Sequence, residues 1–193
     1  MKRITFLFVF SLMSIHYLFS QHDSMYVFTS ISEAMKSPSE VYKLDLSHKK
    51  LNQFPVEVFQ MPNLKVLILK RNKIESVPSE IGLLSNLEVL DLSANRIAVV
   101  PSEIGALRSL KQLILNRNYI SSLPDEISTL VNLEFLDLWS NEIDTFPASI
   151  SNLKENLKLL DMRAIVMNDA KQQAISELLP NTKILFSKSC LCQ

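Results

Sequence analysis

Glycine is nearly missing from this chain: Gly82 and Gly105 are the only two among 193 residues. A loop that cradles phosphate with backbone N–H groups needs at least two glycines close together at a set spacing. Walker-type and dinucleotide-binding loops are therefore excluded. Cysteine is as scarce. Cys190 and Cys192 stand at the extreme C-terminus, where they cannot staple a core, and two thiols are too few for a structural zinc site. Surplus charge is absent too, with 20 basic and 20 acidic residues. A general nucleic-acid binder needs a basic excess to neutralise phosphates, so no nucleic-acid partner is expected. None of the thirteen asparagines opens an Asn-x-Ser/Thr acceptor. The 47 % hydrophobic content is enough for one domain with a substantial core.

The first twenty residues are read as an address. Lys2 and Arg3 precede an apolar stretch running from Ile4 to Phe19, the order of a secretory signal peptide. The stretch is shorter than the ~20 residues that span a bilayer. Cleavage is expected after Ser20, with an uncleaved anchor as the alternative. The mature chain is then expected to be exported (periplasmic, cell-surface or secreted) with no membrane contact.

A period of 23 residues dominates the rest. Val41, Leu64, Leu87, Leu110 and Leu133 start successive units, and Leu157 starts a degenerate sixth after one inserted residue. One unit reads Leu64, Leu67, Leu69, Asn72, Ile74, Val77, Pro78, Ile81, Leu84; the next repeats it from Leu87 to Leu107. Residues two apart on a strand share a face. Leu67 and Leu69 therefore point into a core, and Val66, Ile68 and Lys70 point away. Asn72, Asn95, Asn118 and Asn141 fall where each strand must turn, so their amides are expected to form a buried ladder that satisfies loop backbone. Pro78, Pro101, Pro124 and Pro147 suit the first position of a short helical turn. One strand and one turn cannot bury themselves, but stacked copies can.

These residues spell L-x-x-L-x-L-x-x-N-x-I-x-x-h-P-x-x-I-x-x-L, with h apolar. The pattern resembles the leucine-rich repeat family, in the 23-residue class with a Leu-Pro-like step, over roughly residues 41 to 186. The resemblance implies an α/β fold: a curved solenoid with a parallel β-sheet on its concave face and helical caps at both ends. It implies a protein-binding module without catalysis or cofactor, and a monomer. Animal and plant extracellular relatives usually carry disulfide-bonded caps; the repeats here hold no cysteine, which favours a bacterial exported protein.

The expected organisation is a signal peptide over 1–20, a tail and short capping helix over 21–40, repeats over 41–168, a C-terminal cap over 169–186 and a tail over 187–193. Ser30 with Glu33 fits a capping box opening a helix from Ile31 to Ser37. Asn168 fits the cap of a helix from Asp169 to Leu179 whose apolar face is Ala170, Ala174, Ile175, Leu178 and Leu179. Ile184 to Phe186 should add a last strand. Lys49 and Ile165 stand where the first and last units lack the ladder asparagine.

Chemistry of an enzymatic kind finds no support in the motifs. His48 has no nucleophile motif beside it. Asp91 and Asp137 sit two strands apart, roughly 10 Å at the sheet spacing, on an open face without the pocket a carboxylate pair needs. The outward rows carry more. Three of them read Lys43, Val66, Val89, Gln112, Phe135, Leu159; then Asp45, Ile68, Asp91, Ile114, Asp137, Asp161; then Ser47, Lys70, Ser93, Asn116, Trp139, Arg163. Trp139 is the only tryptophan. Aromatic residues beside Arg and Asp are the composition of an interface centre. The candidate partner site is Phe135, Asp137 and Trp139, with Arg117 and Arg163 beside them and Asp91, Ile114, Lys70 and Arg71 further along. Arg71 and Arg117 are expected to offset Asp91 and Asp137 at the rim. Trp139 has two readings: a partner contact, or an aromatic stacked on Arg163. The alternative to a binding module is a cell-envelope scaffold, or an intracellular signalling scaffold if the head is not a signal.

Overall fold

A computed structural model describes residues 26–187; the expected signal peptide over 1–20 and both cysteines lie outside them. Seven short strands form one parallel sheet in sequence order: β1 Lys43–Asp45, β2 Val66–Ile68, β3 Val89–Asp91, β4 Gln112–Ile114, β5 Phe135–Asp137, β6 Leu159–Met162 and β7 Lys183–Phe186. Lys43 pairs with Val66, Val66 with Val89, Val89 with Gln112 and Gln112 with Phe135. The partners step by 23 residues, so the register is the period itself. Each of the first five connections returns through a 3-10 turn: Val56–Gln60, Ser79–Leu83, Ser102–Ala106, Asp125–Thr129 and Ala148–Leu153. From Ser79 onward these turns stack on one another as a second layer. The molecule is a leucine-lined solenoid with its sheet on the concave side.

Between the layers the leucines at the second and third template positions are fully buried, Leu67 and Leu69 among them. The asparagine ladder forms as expected. Asn72 donates its Nδ2–H groups to the carbonyls of Leu69 (2.8 Å) and Leu46 (2.9 Å), and its Oδ1 accepts from the Leu51 N–H (3.0 Å). Asn95, Asn118 and Asn141 repeat the pattern. Each amide thus ties its own turn to the preceding unit, where the loop backbone has no sheet partner. Lys49 is exposed in the first unit, whereas Ile165 is buried in the last.

The prolines sit one residue earlier than expected. Pro78, Pro101, Pro124 and Pro147 occupy the cap position in extended backbone, and the turn begins after them. Their fixed φ fits, and their carbonyls accept the first turn bond, for example from the Ile81 N–H.

The caps differ in detail from the sequence expectation. The first helix, α1, spans only Ile31–Ala34 before a 3-10 turn at Pro38–Glu40. Ser30 Oγ accepts from the Glu33 N–H (3.2 Å), but the Glu33 carboxylate takes the Tyr26 hydroxyl (2.7 Å) instead of closing a capping box. Phe28 pairs with Leu44, so the Tyr26–Thr29 segment covers the β1 edge. The C-terminal helix, α2, spans Asp169–Leu178, with Asn168 Oδ1 accepting from the Lys171 N–H (2.9 Å). Its buried face is narrower than the spacing suggested. Ile175 and Leu179 are buried and Leu178 partly so, while Ala170 and Ala174 are exposed. At 3.6 residues per turn these two alanines lie roughly 140° and 100° around the helix from Ile175, away from the face that it buries. Strand β7 extends the sheet with Ile184 opposite Leu160.

Among the described residues, no helix is long and apolar enough to cross a membrane.

Candidate protein-binding face

The outward residues of the sheet lie in the rows the period lays down. Phe135 sits opposite Gln112 and Leu159, and Asp137 opposite Ile114 and Asp161. Phe135, Asp137, Asp91 and Ile114 are half-buried; Lys70, Arg71, Arg117 and Arg163 are exposed, and Trp139 is 37 % exposed. The candidate residues thus share one face, across β2 to β6.

Two expected pairings are different. Trp139 does not stack on Arg163. The guanidinium of Arg117 lies over its ring, 5.9 Å from the centroid. Arg163 instead grips the Asp161 carboxylate, with Nε 3.0 and 3.1 Å from the two oxygens and Nη2 2.6 Å from Oδ2. A two-residue separation on one strand end allows this fork geometry, and it draws the Arg163 side chain away from the indole.

Nor do Arg71 and Arg117 offset Asp91 and Asp137. The aspartates are occupied by their own backbone. Oδ1 of Asp45, Asp91, Asp137 and Asp161 accepts the N–H two residues on, from Ser47 (2.8 Å), Ser93 (2.9 Å), Trp139 (3.0 Å) and Arg163 (3.1 Å). This is an Asx-type turn. It gives the alternation of Asp and Ile along the central row a local role: Asp tethers the strand end, whereas Lys70 and Asn116 follow an Ile and have no such carboxylate. Asp137 also takes a bond from the Asn116 amide. Burial pushes its carboxyl above the usual range, and the Trp139 N–H and the Asn116 amide pull the other way.

The strand ends hold a feature that composition gave no reason to expect. His48, Arg71, Ala94, Arg117, Ser140 and Ala164 are all left-handed, with φ from 53° to 59°. The N–H of each of the first five donates to the next unit's strand end, Arg71 to Ser93 and Arg117 to Trp139 for instance. The favoured residues there are Gly and Asn, and none of the six is either, so no composition signal marked the turn.

The strand-start edge shows two further ladders that had gone unread. Asn63, Asn86, Asn132 and Asn156 each donate to a carbonyl of the preceding unit, those of Ser39, Pro62, Arg108 and Val131 at 2.6–2.9 Å. The signal was present: each precedes a unit-starting leucine, with Ser109 the one interruption. Beside them Lys65, Glu88, Lys111, Glu134 and Lys158 alternate in sign. Glu88 pairs with Lys111 (2.7 Å) and Lys65 (3.1 Å), and Glu134 with Lys158 (2.7 Å). The ammonium groups, Lys111 first and then Lys65, hold the Glu88 carboxyl below its ordinary range, and Lys158 does the same for Glu134. A shallow cavity of about 320 Å³ opens where Ser109 breaks the ladder, lined by Lys65, Asn86, Glu88, Ser109, Lys111 and Asn132. Among the described residues, no group of three or more His, Cys, Asp or Glu side chains could hold a metal ion.

Comparison with known proteins agrees with this architecture. No curated protein matches the chain. A solved structure of a leucine-rich repeat protein from Leptospira interrogans superposes with a TM-score of 0.68 at 28 % sequence identity; the match covers 86 % of this chain and 49 % of that one. The chain thus spans about half the length of that protein. The leucine rich repeat family profile matches residues 39–97 and 85–143, together more than half of the sequence. Profile, neighbour and the seven-stranded register converge, and the chain belongs to the leucine-rich repeat family.

Proposed function

We propose that this chain is a non-catalytic binding module that takes a protein partner on its concave sheet. Leucine-rich repeat domains are typically protein-interaction modules, and the question is which surface serves here. One observation carries the reading. The inward positions of β2 to β5 repeat the same leucines and asparagines, while the outward rows vary and bring a partly exposed Trp139, the half-buried Phe135 and exposed cations onto one face. Aromatic and arginine side chains gathered in this way gain most when a partner covers them. Trp139, Phe135 and Asp137 form the centre, with Arg117 and Arg163 beside them.

A photo-crosslinking residue at Gln112, in the outward row between Val89 and Phe135, tests this against one at Val99, exposed and outside the sheet. Capture of one protein species from Gln112 and not from Val99 supports the concave face. Equal capture from both, or capture from Val99 alone, contradicts it. The 23-residue repeat class and export form part of the same reading. They are supported by the period, the bacterial neighbour and the basic-then-apolar head. Mass spectrometry of protein from the native host should find the N-terminus at Gln21; an intact Met1 in a cytoplasmic pool would contradict export.

A further inference from the structure

Six equivalent strand ends share one left-handed turn, and every one carries a side chain. For a residue with a Cβ that conformation costs roughly 1–2 kcal/mol, which glycine avoids. At four of these positions the side chain is His, Ala or Ser; at Arg71 and Arg117 it is a long cation. Both are exposed, and among the described residues neither forms an ion pair. This contrasts with the strand-start edge, where Lys65, Lys111 and Lys158 are neutralised by Glu88 and Glu134. The aspartates of the central row do not supply the missing partners: among the described residues none of them pairs with Arg71 or Arg117, and Asp161 holds Arg163. Exposed Lys70 adjoins Arg71 on the same strand end.

We propose that Arg71 and Arg117, with Lys70, are the recognition groups for an acidic protein segment that lies across the strands. The inference rests on the concave-face reading and adds the chemistry of the partner. Two strand spacings, roughly 10 Å, separate the Arg71 and Arg117 backbones, and the Arg117 guanidinium lies over Trp139 at the end of the next strand, so the segment presents carboxylates spaced over two or more strands along the strand-end rim. Its apolar side chains meet the adjoining rows, where Ile68 and Ile114 stand half-buried and Trp139 is partly exposed. Planar guanidiniums take carboxylates bidentately. These apolar residues favour a peptide over a nucleic acid, whose phosphate backbone has nothing to place there.

The test measures affinity and stability on the same variants. Labelled short peptides alternating glutamate and leucine, lysine and leucine, or serine and leucine are titrated by anisotropy, with a short oligothymidine as the nucleic-acid arm. Trp139, the only tryptophan, reports by its emission whether a probe sits on the concave face. The glutamate peptide is expected to bind about tenfold tighter than the others, to shift Trp139 emission and to weaken with salt. Arg71→Gly, and Arg71→Gly with Arg117→Gly, should each lower that affinity, about tenfold for the pair, while the unfolding midpoint stays level or rises as the left-handed turn relaxes. A lowered midpoint with unchanged affinity would make the arginines structural and overturn the proposal. So would a lysine peptide, serine peptide or oligothymidine binding as tightly as the glutamate peptide. If a probe other than the glutamate peptide wins at Trp139, the concave face stands and only the acidic preference falls. If none binds, the acidic preference falls, and the face is judged separately by the Gln112 and Val99 cross-links.

Discussion

The two sides of each strand teach different lessons. Inward, Leu67, Leu90, Leu113 and Leu136 are interchangeable, and the asparagines above them make the same three bonds in unit after unit. Outward, neighbours in one row are Lys70, Ser93, Asn116 and Trp139, which share no chemistry. The inward side has one task, to close the stack, and identical residues do it best because each unit meets a copy of itself. The outward side meets no second layer, so the fold constrains it less: the central-row aspartates hold their own strand ends, and the other outward positions vary. Stability and recognition are thereby assigned to alternate residues of the same short segments.

The comparison breaks most severely where the stack ends. Removing residues 169–186 strips α2 and β7 from the last repeat and exposes apolar residues such as Leu160 and Met162. The truncated protein should aggregate, as light scattering would detect; a monomer with an unchanged melting curve would make this segment a tail. Within the stack, Asn95→Ala orphans the Ile74 N–H and takes one donor from the Leu69 and Leu92 carbonyls, which keep Asn72 and Asn118. A loss of about 1–3 kcal/mol is expected in chemical denaturation, against a few tenths for the exposed Lys49→Ala.

The two glycines sharpen the point at smaller cost. A Cβ on Gly105 would stand 2.6 Å from both the Glu126 carbonyl oxygen and Thr129 Oγ1, whereas one on Gly82 meets Ala106 Cβ at 3.2 Å. Gly105→Ala should cost about 1–3 kcal/mol, and Gly82→Ala clearly less. Ser109→Asn runs the other way. It restores the strand-start ladder opposite Asn86 and Asn132, and thermal unfolding should show a gain of about 0.5–1 kcal/mol.

The smallest effect is on pH dependence. Glu88 and Glu134, held low by lysines, contribute stability that is present above the ordinary carboxylate range and lost as pH falls through it. Asp137, raised by burial, works oppositely: its protonation favours the folded state as pH falls through its raised value. Asp137→Asn should therefore steepen the acid loss of stability, and Glu88→Gln should flatten it, in melts recorded across the acid range.

What the sequence made legible follows the same division. The leucines, the Asn72 to Asn141 ladder and the strand register could be read because each recurs every 23 residues and each has one physical use. The partner of Trp139 could not. Arg163 and Arg117 were both within reach of the indole, and the choice fell to Asp161, which takes Arg163 two residues away on the same strand end. The left-handed turns were invisible for a different reason: His48, Arg71, Ala94, Arg117, Ser140 and Ala164 have no common preference for that conformation, which the ladder geometry imposes. The Ala170 and Ala174 face failed on width, since the apolar stripe counted from the sequence runs further around the helix than the side that Ile175 and Leu179 bury.

The central claim is that the inward residues hold the fold and the outward residues bind. Trp139→Ala tests it directly, with the unfolding midpoint and the calorimetric affinity for the partner captured through Gln112 measured on one preparation. Affinity should fall about tenfold or more, equivalent to about 1.4 kcal/mol, while stability falls by no more than the exposed Arg117 contact, about 0.5–1 kcal/mol. Unchanged affinity together with a clear loss of stability would contradict the account and make Trp139 a packing residue.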